Sequence, residues 1–174
     1  MQAIYLTGER IYLRAMQLSD KEHAAAWFDS LYPINATRAE AFLKEELKDP
    51  YSRTQRLAVI LKETDEIAGG LTSWTNGRKA VLSFTAAPWI TDADRLRADT
   101  LRIVIPWLRD EASMLSVIIA MPADETQSIA VAEELGMQLG VRLREHVARP
   151  SHRVDKLFFQ ALGPIWTEEE RVHA

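Results

Sequence analysis

The chain has 174 residues, 47% of them hydrophobic and 26% charged, with a formal net charge of -4; that length suits one domain and is short for two, and the longest apolar runs are too short to cross a bilayer. The lack of cysteine excludes disulfides, thiolate metal sites and a cysteine nucleophile, the opening MQAIYLTGER has no signal-peptide core, and the negative net charge disfavours a global nucleic-acid-binding field. The expectation is a cytoplasmic, single-domain protein.

RIYLR (10–14) sets a β-prone apolar run between two charges and reads as a strand. Leu18-Ser19-Asp20-Lys21-Glu22 then offers an N-cap serine with a glutamate three residues on, which predicts a helix over about 20–29. Thr37-Arg38-Ala39-Glu40 repeats the device and opens a second helix, with Phe42, Leu43 and Leu47 on one face and Asp49-Pro50 as its stop. RLAVILKE (56–63), IAGGLTSW (67–74) and AVLSFTAAPWI (80–90) follow as a three-strand antiparallel meander, the second turn marked by Asn76-Gly77.

From 91 onward the apolar period becomes helical through Leu96, Leu101, Val104, Ile105 and Leu108, predicting a helix over about 93–111 that Pro106 kinks or loosens. MLSVIIAM (114–121) is the continuous apolar run of a central strand, ended by Pro122. Asp124 and Gln127 form a capping box for a helix through SIAVAEEL, with Gly136 placed for a left-handed C-cap. LGVRLREHV (139–147) and RVDKLFFQAL (153–162) close the chain as a hairpin. The order is β-α-α-β-β-β-α-β-α-β-β, a single α+β domain (1–163) on one mixed, mostly antiparallel seven-strand sheet with flanking helices. A tail (164–174) carries Trp166 and Glu168-Glu169-Glu170.

Three stretches carry a resemblance: LTGERIYLRAMQLSD (6–20), ETQSIAVAEELGM (125–137) and RVDKLFFQAL (153–162). In this order the chain resembles the GNAT superfamily of acetyl-CoA-dependent N-acetyltransferases, and within it the ribosomal-protein N-terminal (Rim-type) branch. The resemblance implies a GNAT-like fold, acetyl-CoA as co-substrate and a primary amine as acceptor, either a peptide N-terminus or a small molecule. It implies that the strand ending near Ala86-Ala87-Pro88 splays from its neighbour to receive the pantetheine arm. The cofactor contacts then fall on Ala86, Ala87, Pro88, Ile90, Arg95, Leu96, Arg97 and Ser128. It also implies an Arg/Gln-x-x-Gly-x-Gly/Ala loop around the pyrophosphate, where glycines let backbone N–H groups approach and the helix N-terminus adds positive charge. This chain instead reads Thr91-Asp92-Ala93-Asp94-Arg95-Leu96-Arg97. Three readings of that departure stand: Thr91 or Asp92 caps its own helix; Arg95, Arg97 and Arg102 supply guanidinium contacts to the phosphates; or the pairs Asp92/Arg95, Asp94/Arg97 and Asp99/Arg102 neutralise one another at helical spacing.

Acetyl transfer needs a base to strip the amine and an acid to reprotonate the leaving thiolate. By the resemblance, Ser128 falls on a serine position of the penultimate helix and is the candidate acid, against the plain reading of a helix-start serine bonded to backbone. Glu125 stands where the family usually has Asn and is a candidate base, or a carboxylate that favours the helix N-terminus. AVLSFTAAPWI lacks the acidic base common on that strand and offers Ser83 as a weak substitute. Trp74 and Trp89 are candidates to line the acceptor groove. Arg142, Arg144, His146, Arg149, His152 and Arg153 gather on the final hairpin, more as a solvated surface than as a reader of acidic groups. His146 and His152 lack a third ligand at metal-binding spacing, so no metal is expected. LFF (157–159) makes a homodimer reasonable. The rival to the enzyme is a catalytically silent GNAT-fold protein that binds a ligand or partner in the same cleft; membrane and nucleic-acid partners are not expected.

Overall fold

The computed structural model describes residues 6–29, 34–46, 48–49 and 52–163; the expected contributions of Leu47, Pro50 and Trp166 lie outside these. The strands are β1 (Leu6–Thr7), β2 (Ile11–Ala15), β3 (Thr54–Leu61), β4 (Ile67–Asn76), β5 (Lys79–Ala86), β6 (Ser116–Pro122), β7 (Gln138–Ala148) and β8 (Arg153–Leu162). The helices are α1 (Ala24–Trp27), α2 (Ala36–Glu46), α3 (Ala93–Pro106) and α4 (Thr126–Glu134). All strands join one eight-stranded sheet in the order β1-β2-β3-β4-β5-β6-β8-β7. The expected seven become eight because Leu6–Thr7 folds back on Leu13 and Tyr12, a pairing of two residues that leaves no alternation to read. β5 and β6 are parallel, and every other neighbouring pair is antiparallel.

Local chemistry explains most boundaries. Asn76 pairs with Lys79 around Gly77, whose φ of 59° suits a two-residue hairpin turn that a side chain would strain. Pro106, which lacks an N–H, ends α3 in regular geometry, and the chain continues through one π-helical turn at Trp107–Glu111. The predicted helix at 20–29 divides instead into a 3-10 turn, Leu18–His23, followed by α1. Its N-cap is Gln17 rather than Ser19, in a capping box with Asp20: the Asp20 carboxylate accepts the Gln17 N–H at 2.8 Å and holds the Arg14 guanidinium through two bonds of 2.8 Å. Asn35, not Thr37, caps α2, accepting the Arg38 N–H at 2.8 Å.

The sheet carries apolar layers on both faces. On one, Leu96, Leu101, Val104 and Ile105 of α3 and Val131 and Ala132 of α4 meet Leu82, Val117, Ile119 and Phe159. On the other, Trp27 and Leu43 of α1 and α2 meet Tyr12, Ala58 and Ile60. The approach is tightest at Gly70, where an added Cβ would stand 2.6 Å from Trp27 Cβ. Leu157 and Phe159 of the LFF run are buried in the sheet layer, which leaves only Phe158 partly exposed. β7 is one of the two outer strands among the described residues; residues 144–146 bulge from its ladder with β8, and Glu145 takes a left-handed φ of 47°. No described helix is long and apolar enough to cross a membrane.

Candidate active site

Two parallel strands that separate make a wedge, and this sheet contains one. β5 and β6 pair from Lys79↔Ser116 to Leu82↔Ile119. Beyond that, Ser83–Ala86 stays with β4 while Ala120–Pro122 stays with β8. The splay therefore opens at Ser83, three residues earlier than the expected Ala86-Ala87-Pro88. The strand stays anchored on its other edge: Ala86 pairs with Gly69, and the Ala87 N–H donates to the Ala68 carbonyl at 2.7 Å. Pro88 is exposed, and the Ile90 N–H closes a turn onto the Ala87 carbonyl at 3.0 Å.

The residues at the mouth of the wedge are bonded to one another. Asp92 caps α3, accepting the Arg95 N–H at 3.0 Å on its carboxylate and the Leu96 N–H at 3.2 Å on its carbonyl. Asp94 reaches across to α4: its two carboxylate oxygens accept the N–H groups of Gln127, at 2.9 Å, and Ser128, at 2.8 Å. The sequence offered Asp124 as the cap of α4, but the carboxylate that meets those amides comes from a helix more than thirty residues earlier. No local pattern encodes that contact. Helix N-terminal donors favour whichever anion reaches them.

Arg97 of α3 lies against the splayed part of β5. Its guanidinium carbon lies 5.1 Å from the centroid of the Phe84 ring on the splayed part of β5. On its far side it forms an ion pair with Glu125, and both side chains are nearly buried, at 12% and 13% exposure. Burial lowers the Arg97 guanidinium to a pKa of about 10, against the opposing pull of Asp94, so it stays charged at neutral pH. Its buried Nε has no hydrogen-bond partner among the described residues. Glu125 in turn lies 3.7 Å from Arg149, which grips Asp124 through two bonds of 2.8 and 2.7 Å. That grip holds the Asp124 carboxyl below its ordinary range. The chain of charges runs from α3 to the β7–β8 hairpin.

Of the sequence-derived candidates, the structure brings Arg97, Glu125 and Ser128 together and leaves others apart. Ser128 is fully buried, and its hydroxyl donates to the Asp94 carbonyl at 3.0 Å. Leu96 is in the core and Arg95 on the surface. Trp74 and Trp89 are both exposed, at 43% and 49%, but they do not share a groove. Trp74 lies opposite Val81, and the five residues on to Ala86 alone span about 17 Å of strand. Trp89 instead borders a cleft with His23, Glu66 and Ile67. Sequence reasoning missed Phe84, Asp124 and the bridging role of Asp94. The Asp99–Arg102 pair stands on α3 at 3.5 Å, as its spacing suggested.

No family model matches the sequence, and no curated protein matches it. Solved structures do. A ribosomal-protein-alanine acetyltransferase from Vibrio fischeri superposes with a TM-score of 0.66 at 13% identity over 93% of this chain and 98% of its own. A GNAT-family acetyltransferase from Bacillus anthracis gives 0.65 at 15% identity over 91% and 98%. A protein of Sphaerobacter thermophilus DSM 20745 named a "putative acetyltransferase" is 49% identical, with a TM-score of 0.76 over 95% of this chain and 99% of that one. The chain belongs to the GNAT acetyltransferase superfamily.

Membership implies acetyl-CoA, and the residues present do not fit its pyrophosphate in this arrangement. No glycine lies between Thr91 and Arg97. α3 already runs from Ala93, and the N–H groups of Arg95 and Leu96 are engaged by Asp92. The first amides of α4 hold Asp94. Asp92, Asp94, Asp124 and Glu125 set four carboxylates against three guanidinia, those of Arg95, Arg97 and Arg149, an unfavourable field for a polyanion. Among the described residues no cluster of histidines and carboxylates could hold a metal.

Proposed function

We propose that this GNAT protein is an N-acetyltransferase that moves an acetyl group from acetyl-CoA to a primary amine. The observation that supports the reading is the splay itself. β5 parts from β6 after Leu82 and Ile119, and Glu125, whose N–H bonds to the Pro122 carbonyl at the end of β6, begins the helix that carries Ser128. A carboxylate and a hydroxyl there suit the two proton transfers that amide formation requires, with Glu125 to accept the amine proton and Ser128 to return one to the leaving group. Both are otherwise engaged now, Glu125 by Arg97 and Ser128 by the Asp94 carbonyl, so the reacting arrangement differs from this one. Peptide N-termini and polyamines are the acceptors to test first. Structures of this fold include the alanine acetyltransferase above and a spermidine/spermine N-acetyltransferase from Vibrio cholerae, 16% identical over 88% of this chain and 95% of its own, with a TM-score of 0.65.

A second reading has its own observation. With Asp94 capping α4 and Arg97 paired with Glu125, the protein binds a partner or ligand without transferring anything. Thiol release from acetyl-CoA, followed with a chromogenic disulfide across a panel of N-terminal peptides and polyamines, separates the two. Amine-dependent release that falls about a hundredfold in Ser128→Ala supports the enzyme. No release with any amine, together with no calorimetric binding of acetyl-CoA, leaves the silent reading.

A further inference from the structure

α1 and α2 cover β2, β3 and the start of β4, and beyond them the same face of the sheet is apolar and open. The continuous apolar run of β6 is that of a strand covered on both faces, yet α3 and α4 cover it on one; Ile118 and Ala120 on the other are partly exposed. The register shows which side chains share that other face. Val81 stands between Trp74 of β4 and Ile118 of β6, and Phe158 of β8 stands beside Val141 of β7. Leu162 lies at one corner, across Ser116 from Lys79. Trp74, Val81, Val141 and Leu162 are 41–50% exposed, and they are four of the seven large apolar side chains exposed among the described residues. Their gathering on one face marks an interaction surface rather than scattered exposure. On β5, β6 and β8 the residues of this face include Lys79 and Lys156 and no carboxylate. Lys156 lies over the Phe158 ring, 5.6 Å from its centroid, and neither lysine pairs with a carboxylate among the described residues.

A segment of matching chemistry leaves the fold at that corner. β8 ends at Leu162, and the Gly163 N–H bonds to the Leu115 carbonyl. Residues 164–174 follow, outside the described ones, and they open with Ile165-Trp166 and continue through Thr167 to Glu168-Glu169-Glu170. Two large apolar side chains followed by three acids complement an apolar floor that carries lysines. The reach suffices: Val81 lies two strands and two residues from Leu162, about 12 Å away, and the four residues from Leu162 to Trp166 span up to about 13 Å. A second copy set face to face would bring Lys79 and Lys156 no carboxylate from the same strands. We propose that the C-terminal segment docks on this face, with Ile165 and Trp166 against Leu162, Val81 and Trp74 and with Glu168–Glu170 towards Lys79 and Lys156. The docking stands apart from the acetyltransferase reading. Ser83 and Ala120, where β5 and β6 part, belong to the same face, so the docked segment borders the wedge.

The test uses the absence of cysteine from the full chain. Val81→Cys sets a single thiol on the face, and its rate of labelling by a maleimide reports the cover over it. Docking predicts that adding Trp166→Asp speeds labelling about tenfold or more, since reaction then no longer waits on local opening, and that the protection in the otherwise native chain is independent of protein concentration. Replacing Glu168, Glu169 and Glu170 together by lysine should also speed labelling, and added salt should weaken the protection. If Val81→Cys fails to fold, Ser83→Cys, exposed on the same face, carries the same expectation. Equal labelling with and without Trp166→Asp overturns the docking. Protection that grows with concentration, together with a doubled mass in light scattering, also overturns it and gives the face to a second copy.

Discussion

Removing the Asp94 carboxylate should unfasten α4, and the structure sets the size of the effect. Asp94→Ala deletes two charge-assisted bonds, of 2.9 Å to the Gln127 N–H and 2.8 Å to the Ser128 N–H. Capping carboxylates of this kind are worth about 0.5–2 kcal/mol each. Bonds to a charged group reach roughly 1.5–3 kcal/mol where water is excluded. Asp94 is half-buried, so a total near 2 kcal/mol is expected, or a fall in melting temperature of about 4–8 °C for a chain of this size. Asp92→Ala is the internal comparison. It removes one main bond, to the exposed Arg95 N–H at 3.0 Å, and should cost about 1 kcal/mol or less. Thermal melts followed by circular dichroism give the two values, and amide exchange at Gln127 and Ser128 should accelerate in the Asp94 variant alone. Equal losses in the two variants, with unchanged exchange at those amides, would show that α4 does not depend on Asp94.

Asp20→Ala leaves Arg14 charged in a site where the two side chains are only 8% and 5% exposed; a loss of about 3–5 kcal/mol in urea unfolding is expected, with much of it recovered when Arg14 is replaced by Met as well. Gly70→Ala drives a methyl group into Trp27, 2.6 Å from its Cβ and 2.8 Å from its Cα; the overpacking should cost about 1–3 kcal/mol and change the tryptophan emission. Lys21 and Lys44 lower the Glu40 carboxyl from 4.5 to about 2. Because its folded pKa is depressed, Glu40 contributes fully above pH 4.5, and that contribution fades as the pH falls towards about 2. Glu40→Gln should therefore narrow the stability difference between pH 5 and the bottom of that window, as read from urea midpoints; an unchanged difference would remove Glu40 from acid unfolding.

The parts of the molecule that are legible in the sequence are those whose causes are local. Asn76-Gly77 fixes a turn through its own backbone freedom, Pro106 loosens a helix through its missing N–H, and Gly136, at a φ of 75°, ends α4 as its position suggested. The repeating apolar pattern of α3 likewise places Leu96, Leu101, Val104 and Ile105 in the core. The candidate site is legible only as a neighbourhood. Glu125 and Ser128 lie at the start of α4, but their partners, Arg97 and Asp94, come from another helix and depend on how α3 packs against α4. A local capping pattern fails at α4 for that reason: Asp124 is drawn to Arg149, and a distant carboxylate takes the amides. The tryptophans fail for another reason. Trp74 and Trp89 are both near strand ends in the sequence, and only the sheet register reveals that these are opposite ends.

The bulge at residues 144–146 bears on how the protein behaves in company. β7 is the last strand of the sheet, its Leu139 and Val141 half exposed, and an outer strand of this kind is a ready template for pairing with other chains. Three consecutive residues that leave the ladder, with Glu145 turned left-handed and pinned by the Asp155 carboxylate at 2.8 Å and by Arg153 at 2.6 Å, break the rim into two short lengths. Arg142, Arg144 and His146 line the break with side chains that resist fibrous stacking. The irregular rim thus works against self-polymerisation, with β8 and β6 standing between it and the wedge.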